Sequence, residues 1–315
     1  MKDQLLISDL IKDVKFEGFL LVKSAQQKAA STGTKYLDMT LVDVSGEINA
    51  KVWDPLAQPP QAGTVVKVRA LVNEYNNHMQ LRVDKMRDAV AEDEVEMEKL
   101  VPCAPRSADE MMDEILNRAD AIKNSQLKQL VLKRLEEEGE RLLYAPAAKS
   151  MHHAQRSGLL NHTTTMLQGA QFVCEIYPYL DADLLSAGVI LHDLCKVEEM
   201  NCDALGLAAD YSTEGNLVGH IVMGVERLDR CGRELGVDEE LLLLLEHMLL
   251  SHHNLPEYGS PRPPMFPEAE VLHMLDDLDA KLFEMRTELD KVNPGCFTDY
   301  IKYLDRKLYR RKEST

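Results

Sequence analysis

Apolar and polar positions alternate along residues 10 to about 90 with the two-residue period of strands that bury one face. In YLDMTLVD, Leu37, Met39 and Leu41 point one way, and Asp38 and Thr40 the other. After a turn at Ser45-Gly46 the alternation predicts Ile48, Ala50 and Val52 inward, with Asn49, Lys51 and Trp53 outward. GTVVKVRALVNEYNNHMQLRVDKM supplies two more strands around an Asn76-Asn77 turn. Roughly five short antiparallel strands in this span predict a small closed barrel of the OB type over residues 1–90.

Past Arg87 the pattern changes. Residues 91–106 are acidic and then proline-punctuated, and read as a linker; Ser107 and Glu110 fit a capping box that opens a helix. From 107 to 315 the period is helical, which predicts an all-α domain. Breaks near Gly158, Pro178, Gly206, Gly215 and residues 254–267 divide it into about six to nine helices. One of these, LLSAGVILHDLCKVEEM over 184–200, sets His192, Asp193 and Lys196 in an otherwise apolar run. Helical geometry groups Leu185, Gly188, His192 and Cys195 on one face, with Asp193 and Lys196 turned about 100° from it.

Charge sharpens the division. Residues 1–90 hold 12 Lys+Arg and 11 Asp+Glu, whereas residues 91–315 hold 24 against 42. A body so acidic binds a polyanion only where a cation reverses its field locally. Six cysteines with no CxxC pair argue against a disulfide framework or a thiolate zinc site, and for a reducing compartment. With no signal-peptide pattern and no apolar run of spanning length, the expected location is the cytoplasm, with no membrane partner.

A buried carboxylate needs a counter-charge, and Lys196 can supply one to Asp193 as a simple salt bridge. The other histidines weaken that account. His162, His220, His247, His252, His253 and His273 all lie in apolar helical stretches, and Asp276, Asp277 and Asp279 follow closely. Imidazole and carboxylate without thiolate form the ligand set of Mn, Fe, Co, Ni or Zn. His247 and His252 stand about 140° apart on one helix and do not face one ion together unless the helix breaks between them.

His162, the pair His192-Asp193 and an Asp in LDDLDA resemble the H…HD…D signature of the HD-domain metal-dependent phosphohydrolases, which are all-α. HDLCK matches the HDxxK form of the subgroup whose extra histidines hold two metals. Together with the barrel, HHAQRSGLLNHT, LLSHHNLPEYGSP and LDDLDAK are similar to the YhaM-type 3′→5′ exoribonucleases over nearly the whole chain. Cys195 stands where a Gly is common in these families, and Asn161 where a Glu is expected. The resemblance implies two divalent ions, manganese first among them. Asp193 is then the bridging carboxylate, with His162, His192 and Asp276 on one ion and His220, His252 and His253 on the other. The family pattern favours Asp276 over Asp279 as last ligand. Lys196 would contact the scissile phosphate or help the leaving group.

The implied activity is 3′→5′ hydrolysis of single-stranded RNA, and of DNA besides, to nucleoside monophosphates. Tyr36, Lys51, Trp53, Tyr75 and His78 are the barrel's candidate contacts, by base stacking and backbone charge. The opposing account has Trp53 plugging one barrel end. His152 and His153 line the substrate entrance or start a helix, and the basic KYLDRKLYRRK at the C-terminus contacts phosphate or is a solvated tail. Other classes stay open: a phosphohydrolase of small or cyclic nucleotides whose barrel serves assembly, and a non-catalytic RNA-binding protein. NLPEYGSP lacks the full GYP pattern of cyclic-dinucleotide hydrolases. Apolar helices such as ELLLLLEHMLL suit a homo-oligomer interface as well as a core.

Overall fold

The computed structural model describes residues 4–30, 33–54, 58–75, 78–90, 92–149, 153–203 and 205–312; Asn76, Asn77 and His152 lie outside these. The chain divides into two compact units, Met1–Cys103 and Ala104–Thr315.

The first unit is a five-stranded closed barrel: β1 (Lys15–Ala29), β2 (Lys35–Asp43), β3 (Gly46–Val52), β4 (Val65–Tyr75) and β5 (His78–Asp88). The strand order is β1-β2-β3-β5-β4, closed by β1 against β4, and β3 runs parallel to β5. This is the OB-type barrel that the alternation predicts, with one parallel pair among antiparallel ones. Its length lets β1 serve two neighbours, and an irregularity between Val22 and Ser24 shifts its register against β2. Leu20, Leu37, Leu41, Ala50, Val66, Val68, Val72 and Leu81 are sealed inside. The β2–β3 turn is held by buried Asp43, which accepts from Ser45 N and Oγ at 2.8 and 2.6 Å and from Ile7 N at 2.7 Å. In the stretch read as a linker, a single turn, α1 (Met97–Leu100), buries Leu100 and belongs to the barrel unit.

The second unit is helical: α2 (Ala108–Ala121), α3 (Ser125–Glu138), α4 (Gly158–Ile176), α5 (Ala182–Leu191), the one-turn α6 (Lys196–Glu199), α7 (Thr213–Leu217), α8 (His220–Leu235), α9 (Glu239–Ser251) and α10 (Pro267–Asp290). Ser107 caps α2 by accepting from Glu110 N. A two-stranded ribbon, β6 (Met200–Cys202) with β7 (Ala208–Tyr211), adds a small departure from an all-helical reading. Seven residues of α5, from Leu184 to Leu191 but for Ser186, are buried, so this helix is the centre of the unit. At Gly188 the Met248 side chain of α9 packs so closely that a Cβ would lie 2.2 Å from its Cε. Among the described residues no helix is long and apolar enough to cross a membrane.

The C-terminal basic segment is packed and does not trail as a tail. Bridges join Phe297 to Tyr309 and Ile301 to Arg306, and Ile301, Leu304 and Leu308 cover Met285 and Leu289 of α10.

Candidate active site

All but one of the histidines of the cluster stand at helix ends. The 184–200 run is not one helix: α5 stops at Leu191, His192–Cys195 form a turn, and α6 follows. The reason lies in one hydrogen bond. Val189 O, which a further α-helical turn would offer to Asp193 N–H, takes the His192 Nδ1–H at 2.9 Å. The same device closes α9. Leu249 O accepts from His252 Nδ1 at 2.7 Å, and the backbone N–H of His253 turns to Ser260 Oγ at 3.0 Å. Each imidazole is thereby swung inward from a helix terminus, while His162 projects from α4, His220 begins α8, and Asp276 and Asp279 come from α10.

Five elements thus converge on Asp193. Its Oδ1 lies 3.3 Å from His220 Nε2 and 3.7 Å from His252 Nε2; its Oδ2 lies 3.4 Å from His192 Nε2 and 3.8 Å from His162 Nε2. Asp276 Oδ1 approaches His162 Nε2 at 3.3 Å, and Asp276 Oδ2 approaches His253 Nε2 at 3.8 Å. Two sets of potential ligands, Asp193–His220–His252–His253 and His162–His192–Asp193, share the one carboxylate. Ligands about 2.1 Å from a common ion sit roughly 3–3.5 Å apart, so the spacings suit cations.

Tautomers strengthen the fit. A carbonyl only accepts, so His192, His252 and His253, whose Nδ1 atoms meet Val189 O, Leu249 O and Tyr258 O, carry their proton there and leave Nε2 lone pairs facing the cluster. Carboxylates do the same for the other two: Glu199 Oε1 at 3.0 Å from His220 Nδ1, and Asp279 Oδ2 at 2.7 Å from His162 Nδ1. Asp193 Oδ1, His220 Nε2 and His252 Nε2 are buried without a hydrogen-bond partner, while Asp193 Oδ2 has the Lys196 ammonium 2.6 Å away. Buried polar atoms left so are rare, and a divalent cation satisfies all three.

Charges follow the same geometry. Burial raises the Asp193 carboxyl, but Lys196 and His192 outweigh it and hold it well below the usual range. Burial lowers His162, yet its bonds to Asp276 and Asp279 prevail and push it up to about 9, so without a cation its Nε2 holds a proton that a metal ion must displace to reach the lone pair. Burial holds His252 well below the ordinary imidazole value. Lys196 Nζ rests 2.6 Å from Asp193 Oδ2, the ion pair that the salt-bridge account expects.

A further grouping, Glu138–Cys195–Glu198, does not suit a metal. Arg134 and Arg141 already pair with Glu138 at 2.9 Å each, and burial pushes the Cys195 thiol up to about 12.

The ambiguous residues separate cleanly. Asp276 faces the Nε2 side of His162, and Asp279 stands behind it on the Nδ1 side, also 2.8 Å from His153 Nε2. His247 lies apart from the cluster, its Nε2 accepting from Met265 N at 3.0 Å. His273 binds the His252 carbonyl at 2.8 Å. Asn161 approaches His153 Nδ1 at 3.2 Å through its amide nitrogen, a donation no Glu at that position can make.

On the barrel, Tyr36 and Trp53 stack with ring centroids 4.7 Å apart, and Lys51 Nζ lies 5.4 Å from the rings of both Tyr36 and Tyr75. Trp53 is half exposed and plugs nothing. Asp38, two residues from Tyr36 on β2, is engaged by Lys28 at 2.5 Å and Asn49 at 2.9 Å. His78 pairs across the strands with Tyr75 and lines a neighbouring hollow with Asn49 and Met79.

Residues 159–281 match the HD domain family model, a span that holds every residue of the cluster. The 3′-5′ exoribonuclease YhaM of Bacillus licheniformis is 39% identical over 296 residues, covering 92% of this chain and 93% of its own. Its counterpart in Bacillus subtilis strain 168 is 38% identical over the same length, with the same coverage. The chain belongs to the YhaM family of 3′-5′ exoribonucleases. Among solved structures, a domain of replication protein A from Methanococcus maripaludis aligns with 27% of this chain and 92% of its own, at 23% identity and a TM-score of 0.24. Nothing functional follows from so slight a likeness.

Membership makes the protein an enzyme with a metal-dependent HD domain. Two residues of this YhaM-family site escape a sequence reading. Glu199, which receives both Nδ1 and the backbone N–H of His220, lies 21 residues away on a separate short helix. Asp279 registers only as a rival ligand; its spacing of three from Asp276 marks the shared helix face but not the division of labour.

Proposed function

We propose that the protein is a two-metal exonuclease that removes nucleoside monophosphates from the 3′ end of single-stranded RNA, and accepts single-stranded DNA as well. The observation that carries this reading is Asp193, a buried carboxylate that belongs to two ligand sets at once and whose Oδ1 has no hydrogen-bond partner. Asp193 would be a ligand to both ions, His162, His192 and Asp276 would hold one, and His220, His252 and His253 would hold the other. The donor set of nitrogen and oxygen suits manganese. Two such ions, when bound, supply Lewis acidity toward phosphate oxygens and a hydroxide at neutral pH.

The chain's own groups do the rest. Lys196 adds an ammonium at the edge of the cluster, where charge builds on the phosphate as the bond to the leaving oxygen breaks. Asp279 and Glu199 fix the ring orientation and tautomer of one histidine in each half. On the barrel, Tyr36, Trp53 and Tyr75 offer stacking faces, Lys51 meets the backbone, and His78 extends this surface.

The test is digestion of a 5′-labelled single-stranded RNA by manganese-loaded protein. A ladder shortening from the 3′ end, with mononucleotide products, is expected, and none with Asp193→Ala. Release of phosphate from mononucleotides, undiminished when the barrel surface is altered, overturns this reading in favour of a small-nucleotide phosphohydrolase.

A further inference from the structure

We propose that the folded C-terminal cap, residues 296–312, is a second binding surface for the single strand, distinct from the barrel face. This rests on the exonuclease reading above. Residues 296–312 hold six Lys/Arg and two Asp, whereas residues 91–295 hold 18 Lys+Arg against 39 Asp+Glu. A cationic island on so acidic a unit is where an incoming polyanion meets a favourable field.

The cap is rigidly seated. Its inner side, Ile301, Leu304 and Leu308, packs on α10, and Arg310 spans the end of that helix, donating to Leu289 O and Val292 O at 3.0 and 2.8 Å. Tyr303 Oη donates to Glu288 at 2.9 Å. Around this anchor exposure alternates with the two-residue period of extended chain: Lys307, Tyr309 and Arg311 face outward, while Leu308 is buried and Arg310 half-buried. Phe297 stands beside Tyr309, ring centroids 5.0 Å apart, at 64% and 44% exposure.

Aromatic pairs left in water between unpaired cations fit a ligand with both phosphates and flat faces. Among the described residues, Lys307, Arg311 and Lys312 make no ion pair, although the unit is rich in carboxylates. Beside them a groove of about 600 Å³ along α10 is lined by Leu282, Met285, Leu289 and Tyr309 together with Arg311 and Lys312, and its one carboxylate, Asp290, is paired with Arg286 at 3.9 Å. A lining both apolar and cationic suits a base with its phosphate.

The experiment uses full-length manganese-loaded protein with a fluorescein-labelled 20-nucleotide single-stranded RNA carrying phosphorothioate linkages at its 3′ end, which slow hydrolysis, read by anisotropy. The triple variant Lys307→Ser/Arg311→Ser/Lys312→Ser leaves the Arg310 anchor intact. Its dissociation constant is expected to rise about tenfold or more, and the slope of log K against log salt to shrink by roughly two for three lost phosphate contacts. Tyr309→Ala is expected to weaken binding about fivefold without changing that slope. Circular dichroism and manganese content of both variants should match wild type. If wild type binds RNA and the triple variant binds it equally, with the same slope, the proposal falls and the exonuclease reading stands. If the variant instead changes only the sedimentation coefficient, the cap joins copies of the chain and the proposal also falls. Wild type that neither binds nor degrades the strand sinks both.

Discussion

The two units place their chemistry on opposite sides of their walls. In the barrel, Tyr36, Lys51 and Trp53 stand on the outer surface above a core of Leu, Val and Ala. In the helical unit the reactive groups are the interior: His162, His192, Asp193 and His252 are all at or below 2% exposure. A surface contact is organised by water and replaced at little cost to folding. A buried carboxylate among imidazoles is organised only by what pairs with it, so ligand and fold depend on one another.

That contrast can be broken first at its centre. Asp193→Ala is expected to lower the rate of RNA degradation by roughly 10³-fold or more and to empty the site, by mass-spectrometric metal analysis. Retained metal with retained rate would remove Asp193 from the mechanism. Stripping the metal should then loosen one unit alone. If the ion is present at about 100 times its dissociation constant, its removal costs on the order of 2.7 kcal/mol, which is about a hundredfold faster amide exchange. Exchange measured by mass spectrometry should rise in α4, α5 and α9, and not in β1–β5.

Asp279→Asn tests how far the site depends on its outer carboxylates. The expected loss is about 10- to 100-fold in metal affinity, with the His162 ring nitrogens changing tautomer in ¹⁵N NMR. Unaltered affinity and ring shifts would make Asp279 merely structural. On the barrel the effect is smaller and of another kind. Trp53→Ala should weaken single-strand binding by about tenfold while leaving metal content and melting temperature nearly unchanged. A variant that unfolds would return Trp53 to the core.

The smallest effect concerns acid. The Arg87 guanidinium and Val90 N–H hold the Asp93 carboxyl below the usual range. Its contribution is therefore present above about pH 4, where unfolded aspartates ionise, and fades as pH falls toward the lower native value. Asp93→Asn should flatten the acid side of the barrel's stability curve slightly; a steeper curve would contradict the sign.

Much of this was legible before any coordinates. Alternation along 35–52 names inward residues of which Leu37, Met39, Leu41, Ile48 and Ala50 are buried and Val52, at the strand end, is half-buried, because a strand's two faces are written in neighbouring positions. The same local rule misjudged 184–200 as one helix, since the His192 side chain competes for a backbone carbonyl, and periodicity registers no such competition. His247 and His252 illustrate the limit. Angular separation permits only one to face a common ion, but which one depends on the neighbour each meets, Met265 N for the first and the Asp193 cluster for the second.

By itself the sequence determined the barrel, the helical body, the acidic field and the residue types of a nitrogen–oxygen metal centre, all properties of composition and short-range period. Only the tertiary structure decided that Asp276 faces the cluster while Asp279 backs His162, that Glu199 orients His220, and that the basic C-terminus is a seated cap. Each of those is an ångström-scale encounter between elements far apart in the chain. A hydrogen bond or metal bond is settled by such distances, and no repeat along one element encodes them.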